Sequence, residues 1–241
     1  VAVGATVRAA VARRAVEPYG ALVEPGDVRQ AVREHRAGNL VVLAVDASGS
    51  MGAAQRMEAA KGAVVSLLLD AYQRRDLVSL VTFRGEGAEV ALRPTGSVEV
   101  ARARLAALPT GGRTPLAAGI TTALDIAAGQ GRAATGHQPL LVLVTDGRAT
   151  SAGSAAGSAT GSATDPMAAA HQAADHVRRR GIPAVVVDAE DGATRLGLAR
   201  PLAAAMGARY LTVSELSAGS LSAAVRAAAG QTGRAEGGAE R

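Results

Sequence analysis

The chain is 241 residues long and 48% apolar, which is enough for one α/β domain with a sizeable core and some extra segments. One Phe, three Tyr, no Trp and no Cys make that core aliphatic and exclude disulfides and thiolate metal sites. The net charge of +5 rests on scattered arginines, with Lys61 the single lysine, so the clustered basic face and stacking aromatics of a nucleic-acid binder are missing and no nucleic-acid partner is expected.

Residues 1–39 read as an arm preceding the main domain. Within it, Ala5 to Val16 suits a short helix, and Val23-Glu24-Pro25-Gly26-Asp27 suits a turn. Asp27 is placed to N-cap a helical stretch from Val28 to Arg36. Leu40 to Val45 is continuous and β-branched, as expected of a strand covered on both faces. Apolar residues at 57, 60, 64, 67, 68 and 71 mark one face of an amphipathic helix from Gln55 to Arg74. Leu77 to Phe83 reads as a second buried strand. Glu89 to Leu92, bounded by Gly87 and Pro94, reads as a short edge strand. Helices follow from Ser97 to Leu108 and from Pro115 to Ala128, with Pro115 in the first turn. Leu140 to Thr145 is a third buried strand. Next come a helix (Pro166 to Arg180), a strand (Ala184 to Asp188), a helix (Ala199 to Met206), a strand (Arg209 to Val213) and a helix (Leu216 to Ala228).

Two segments carry no fold signal. The Gly-Ser-Ala repeat of 151–164 reads as a flexible loop, and the polar, Gly-rich stretch 230–241 reads as a disordered tail. The main domain is expected over 40–229. The alternation of strands and helices predicts an α/β fold with a doubly wound, mostly parallel sheet, helices on both faces and one short antiparallel edge strand. No apolar run reaches membrane-span length, and the N-terminus lacks a signal-peptide core. A cytoplasmic protein is expected.

Three stretches carry chemistry. Asp46-Ala47-Ser48-Gly49-Ser50 lies where the first buried strand ends, and ligands of open α/β sheets bind outside the carboxyl ends of the strands. Ser48 and Ser50 alternate on an extended turn, so both hydroxyls can face one point. Asp146 again ends a buried strand. Thr114 stands on a glycine-bearing loop just ahead of a helix. Two carboxylates and three hydroxyls make an all-oxygen set suited to a hard divalent cation, Mg²⁺ first and Mn²⁺ as an alternative. Zinc is disfavoured, because cysteine is absent and the four histidines are dispersed.

The motifs D-A-S-G-S, T-G-G-R-T-P-L and V-T-D-G resemble the three parts of the metal-ion-dependent adhesion site (MIDAS) of von Willebrand factor A and integrin I-type domains, which have a Rossmann-like fold. The resemblance implies that Asp46, Ser48, Ser50, Thr114 and Asp146 are the metal ligands, some direct and some through water. A longer likeness runs from about residue 5 to 228. The stretch R-M-E-A-A-K-G-A-V-V-S-L-L-L-D-A-Y-Q-R-R-D-L-V-S-L-V-T-F-R-G (56–85) is similar to the C-terminal domain of the D-type subunit of magnesium chelatase and related cobaltochelatases. So are L-P-T-G-G-R-T-P-L-A-A-G (108–119), L-V-L-V-T-D-G-R-A (141–149) and A-M-G-A-R-Y-L (205–211).

That likeness implies a non-catalytic bridging subunit in an ATP-driven complex that inserts Mg²⁺ or Co²⁺ into a tetrapyrrole. The implied partners are an AAA+ ATPase subunit and a large catalytic subunit, engaged through a partner Asp or Glu at the metal. The G-x-x-x-x-G-K-[ST] motif is absent from the sequence, so ATP hydrolysis is not expected of it. Two other readings stay open. One is an A domain of an unrelated bacterial complex. The other is a Mg²⁺-dependent hydrolase, for which Asp76, Glu86 and Asp125 are the nearest titratable residues. Lys61, Arg74, Arg75 and Arg84 lie in the chelatase-like stretch and could face a partner.

Overall fold

The computed structural model describes residues 2–17, 19–29, 38–52, 61–62, 64–65, 68–69, 71–74, 76–129, 136–151, 165–190 and 196–215. The chain divides into two compact units, Val1–Arg36 and Ala37–Arg241. In the first unit, α1 (Val3–Val16) is followed by a 3-10 turn, Pro25–Asp27. The structure corrects the expected cap role of Asp27. Its carboxylate does not serve a following helix, because Val28 is extended. Instead it accepts from the Glu24 amide at 2.9 Å and from Arg13 Nη2 at 3.0 Å. A buried carboxylate is best satisfied by a guanidinium fork, and Arg13 reaches it from the last turn of α1. Residues 30–36 of the expected helix lie outside the described residues.

The second unit is a six-stranded sheet in the order β3-β2-β1-β4-β5-β6. The strands are β1 (Asn39–Asp46), β2 (Leu77–Arg84), β3 (Gly87–Thr95), β4 (Gln138–Thr145), β5 (Ala184–Asp188) and β6 (Arg209–Thr212). All neighbours are parallel except β2 and β3. The fold is therefore a doubly wound, mostly parallel α/β sheet. The antiparallel edge strand is longer than the sequence suggested. It runs through both Gly87 and Pro94, because the proline's missing N–H costs nothing on the unpaired side of an edge.

Helical residues 61, 62, 64, 65, 68, 69 and 71–73 form α2, the described part of the helix expected over 55–74. The other helices are α3 (Val98–Ala106), α4 (Leu116–Gly129), α5 (Pro166–Arg179) and α6 (Ala199–Met206). The expected helix 216–228, the tail 230–241 and all but Ser151 of the loop 151–164 lie outside the described residues. No helix among those described is long and apolar enough to cross a membrane.

The period-two alternation of β1 divides the core. Val41, Leu43 and Val45 pack with Val64, Leu68 and Leu105 of α2 and α3. Leu40, Val42 and Ala44 pack with α4, α5 and α6 through Ile120, Leu124, Val177 and Leu202. β1 is thus buried on both faces, as its unbroken apolar run requires. Asp76 anchors the start of this strand, its carboxylate accepting from the Asn39 amide at 2.7 Å.

α4 is seated against β2 by one glycine. A Cβ at Gly119 would come within 2.4 Å of the Phe83 ring, which is itself fully buried. Gly119→Ala is expected to lower the unfolding free energy by about 1–3 kcal/mol through overpacking. Urea denaturation measures this. Phe83→Leu in the same background makes room, so the double variant should lose less than the sum of the two single losses.

Candidate metal centre

β1 and β4 are the adjacent strands where the order of the sheet reverses. At that switch point the loops leave the sheet in opposite directions and open a crevice beyond the carboxyl ends. Asp46 is the last residue of β1, and Asp146 follows the last residue of β4. Both are buried, with 0% and 1% of their surface exposed. Ser48 and Thr114 are buried too, and Ser50 is half-buried.

Short bonds hold the first loop. The Ser48 amide donates to Asp46 Oδ1 at 2.9 Å, and the Ser48 and Ser50 hydroxyls lie 3.0 Å apart. That spacing puts two hydroxyl oxygens at one focus beside the carboxylate. The loop before α4 is tied onto the same segment. Gly111 N donates to Ala47 O at 2.9 Å, and Gly49 N donates to Gly112 O at 2.9 Å. Gly112 has φ +87°, and a Cβ there would lie 3.2 Å from the Gly85 backbone. Only glycine meets both demands. The Thr114 amide donates to Thr150 Oγ1 at 2.8 Å, and Thr150 N returns a bond to Thr114 O at 3.1 Å. The loops carrying Ser48, Thr114 and Asp146 are therefore mutually clamped.

Three residues of this constellation were not singled out from the sequence. Thr145 Oγ1 donates to Asp46 Oδ2 at 2.9 Å across the β1–β4 pair. The register was the available signal: Val45 pairs with Val144, so Asp46 and Thr145 share a face. Thr150 is the partner of Thr114. Arg148 donates its amide to Asp146 Oδ1 at 3.0 Å and brings Nε to 3.6 Å from Asp146 Oδ2. Nothing in the local pattern marks Arg148. Gly147 makes the turn with φ +78°, and a Cβ there would meet Ala199 N at 2.4 Å.

Burial raises the Asp46 carboxyl from 3.8 to about 6; the Asp146 charge adds to the rise, and hydrogen bonds from Ser48 and Thr145 oppose it. Asp146 Oδ2 is buried without a hydrogen-bond partner. A buried, unpartnered carboxylate oxygen is costly unless something positive meets it. Among the described residues no three His, Asp or Glu side chains gather at one point. The donors at the switch point are two carboxylates and neutral hydroxyls, a set that fits a hard cation such as Mg²⁺ and does not fit zinc.

The raised Asp46 value has a definite sign. The folded chain holds this proton more tightly than the unfolded chain. The associated stability is full below pH 3.8 and is lost as pH rises through about 6. In chelator, stability should fall by roughly 2–3 kcal/mol from this group between pH 4 and 7. Asp46→Asn should flatten that slope, and denaturant titrations of both proteins across this range measure the difference.

The family model for the von Willebrand factor type A domain matches residues 41–148. An uncharacterized protein of Mycobacterium tuberculosis is 45% identical over 205 residues, covering 85% of this chain and 31% of that protein. The magnesium-chelatase 60 kDa subunit of Cereibacter sphaeroides is 41% identical over 211 residues, covering 87% of this chain and 36% of the subunit. This chain thus spans about a third of the length of these relatives. In fold it resembles a von Willebrand factor type A structure from Catenulispora acidiphila, with TM-score 0.52 and 20% identity, covering 75% of this chain and 40% of that one. The chain belongs to the von Willebrand factor type A family and is related to the magnesium-chelatase subunits.

Proposed function

We propose that this domain is the metal-dependent docking module of a protein like the D-type subunit of magnesium chelatase. It would bridge subunits of a cytoplasmic, ATP-dependent complex that inserts Mg²⁺ or Co²⁺ into a tetrapyrrole. The observation that carries this reading is the buried oxygen constellation at the switch point, with Asp146 Oδ2 accepting no hydrogen bond and only the Arg148 guanidinium near it, at 3.6 Å. Relatedness to magnesium-chelatase subunits supports the assignment to such a complex.

Asp46, Ser48, Ser50, Thr114 and Asp146 would hold one Mg²⁺, or Mn²⁺ in its place. When bound, the ion supplies a Lewis-acidic point that accepts one oxygen of a partner's Asp or Glu. The chain's own residues do the rest. Thr145 and the Ser48 amide orient Asp46, and Thr150 fixes the loop that carries Thr114. Arg148 offsets part of the Asp146 charge. The expected partners are an AAA+ ATPase subunit and a large catalytic subunit.

The hydrolase reading needs a base or nucleophile beside the ion. Asp76 is spent at the opposite end of β1, about 23 Å away at strand rise. Asp125 lies far down α4, about 14 Å from its start at helical rise. Glu86 is exposed and faces Arg113 at 4.0 Å. The docking reading requires none of them.

Surface plasmon resonance with the complex's ATPase and large subunits tests the proposal. Binding should require Mg²⁺, and Asp46→Ala should weaken it at least about tenfold while circular dichroism stays unchanged. If Asp46→Ala bound the partners normally in excess chelator, the proposal would be wrong.

A further inference from the structure

α2 and α3 cover the face of the sheet opposite α4, α5 and α6. Between them lies an open groove of about 360 Å³, lined by Lys61, Gly62, Val65, Arg102, Leu105 and Ala106. Its floor is aliphatic, with Leu105 buried and Val65 half-buried. Its rim is basic. Lys61 Nζ donates to Ala106 O at 3.3 Å, Arg102 is exposed, and no described carboxylate pairs with either cation.

Beyond the groove, α2 carries further exposed apolar residues. Lys61, Val65, Leu69 and Tyr72 recur at helical spacing and make one stripe of roughly 16 Å. Leu69 and Tyr72 are 51% and 60% exposed. The neighbouring stripe, Val64, Leu68 and Ala71, is buried in the core. An amphipathic helix ordinarily turns polar once it leaves the core. Here the adjacent solvent-facing stripe stays apolar beyond Lys61. A contiguous exposed apolar strip with a basic rim is the pattern of a protein interface.

We infer that this groove is a second, metal-independent docking surface, and that it receives an acidic amphipathic segment of a partner protein. Apolar side chains of that segment seat on Val65, Leu105, Leu69 and Tyr72, while its carboxylates meet Lys61 and Arg102. Charge complementarity selects the occupant. A second copy of this chain would bring a net charge of +5 to an already basic rim. A nucleic acid gains little from an aliphatic floor and needs a longer run of cations. An acidic helix satisfies both the floor and the rim, and helix-in-groove docking reads i, i+4 anchors of this kind.

The test uses the full chain in chelator, with a fluorescent helical peptide of about four turns that carries Leu at i, i+4 spacing and Glu elsewhere. The peptide should bind, and binding should weaken as salt rises. The double variant Lys61→Glu, Arg102→Glu should weaken it at least about tenfold, and Tyr72→Ser should weaken it by a similar factor. Asp46→Ala should leave it unchanged, which separates this surface from the metal-dependent one. The same peptide with Lys in place of Glu should not bind. Equal binding of both peptides, indifference to the groove variants, or no binding of the acidic peptide would overturn the inference. Displacement of the peptide by single-stranded DNA would also overturn it.

Discussion

Two carboxylates buried on the ends of neighbouring parallel strands set the terms for everything around them. Asp46 and Asp146 stand at 0% and 1% exposure. Burying carboxylate oxygens is costly unless a positive partner or a dense set of donors meets them. The protein supplies neutral donors to Asp46 from the Ser48 amide and the Thr145 hydroxyl. To Asp146 it supplies the Arg148 amide, and a guanidinium whose Nε stays 3.6 Å from Oδ2. These offset the burden only in part, and the raised Asp46 carboxyl is the result. A proton on Asp46 or a divalent cation between the loops are the two remaining ways to relieve it.

The sheet topology creates this situation and also contains it. The order reverses between β1 and β4, so their carboxyl ends open onto a crevice. Close backbone contacts at Gly112 and Gly147 then hold the surrounding loops in place. Gly119 lets α4 approach Phe83, which fixes the helix that follows Thr114. Core packing and site geometry are thus one set of constraints. A site held this firmly suits docking, because completing a metal shell with an outside carboxylate calls for little rearrangement.

Much of the fold was legible because its signals are strong in one dimension. Unbroken runs such as Leu40–Val45 and Leu140–Val144 belong to strands buried on both faces, and β5 and α6 were read at their observed bounds. The misread edge strand shows the limit. Pro94 looks like a terminator, but at an edge it removes a donor that has no partner to lose. Asp27 looked like a helix cap, because the Arg13 side chain that claims it comes from 14 residues earlier in sequence. The candidate donors were legible by motif. Thr145 could have been found from strand register. Arg148 and Thr150 could not, since their roles depend on how separate loops converge.

The two proposed surfaces divide the work by physics. The switch-point site would recognise a carboxylate through a cation, and the α2–α3 groove would recognise an acidic apolar segment through burial and charge. The first surface carries the main claim, and anomalous diffraction from crystals soaked in Mn²⁺ tests it most directly. A single strong peak within coordination distance of the Ser48 and Ser50 hydroxyls, and flanked by Asp46, Thr114 and Asp146, is the predicted result. A peak elsewhere, or no peak at a Mn²⁺ concentration that saturates oxygen-ligand sites, would contradict it.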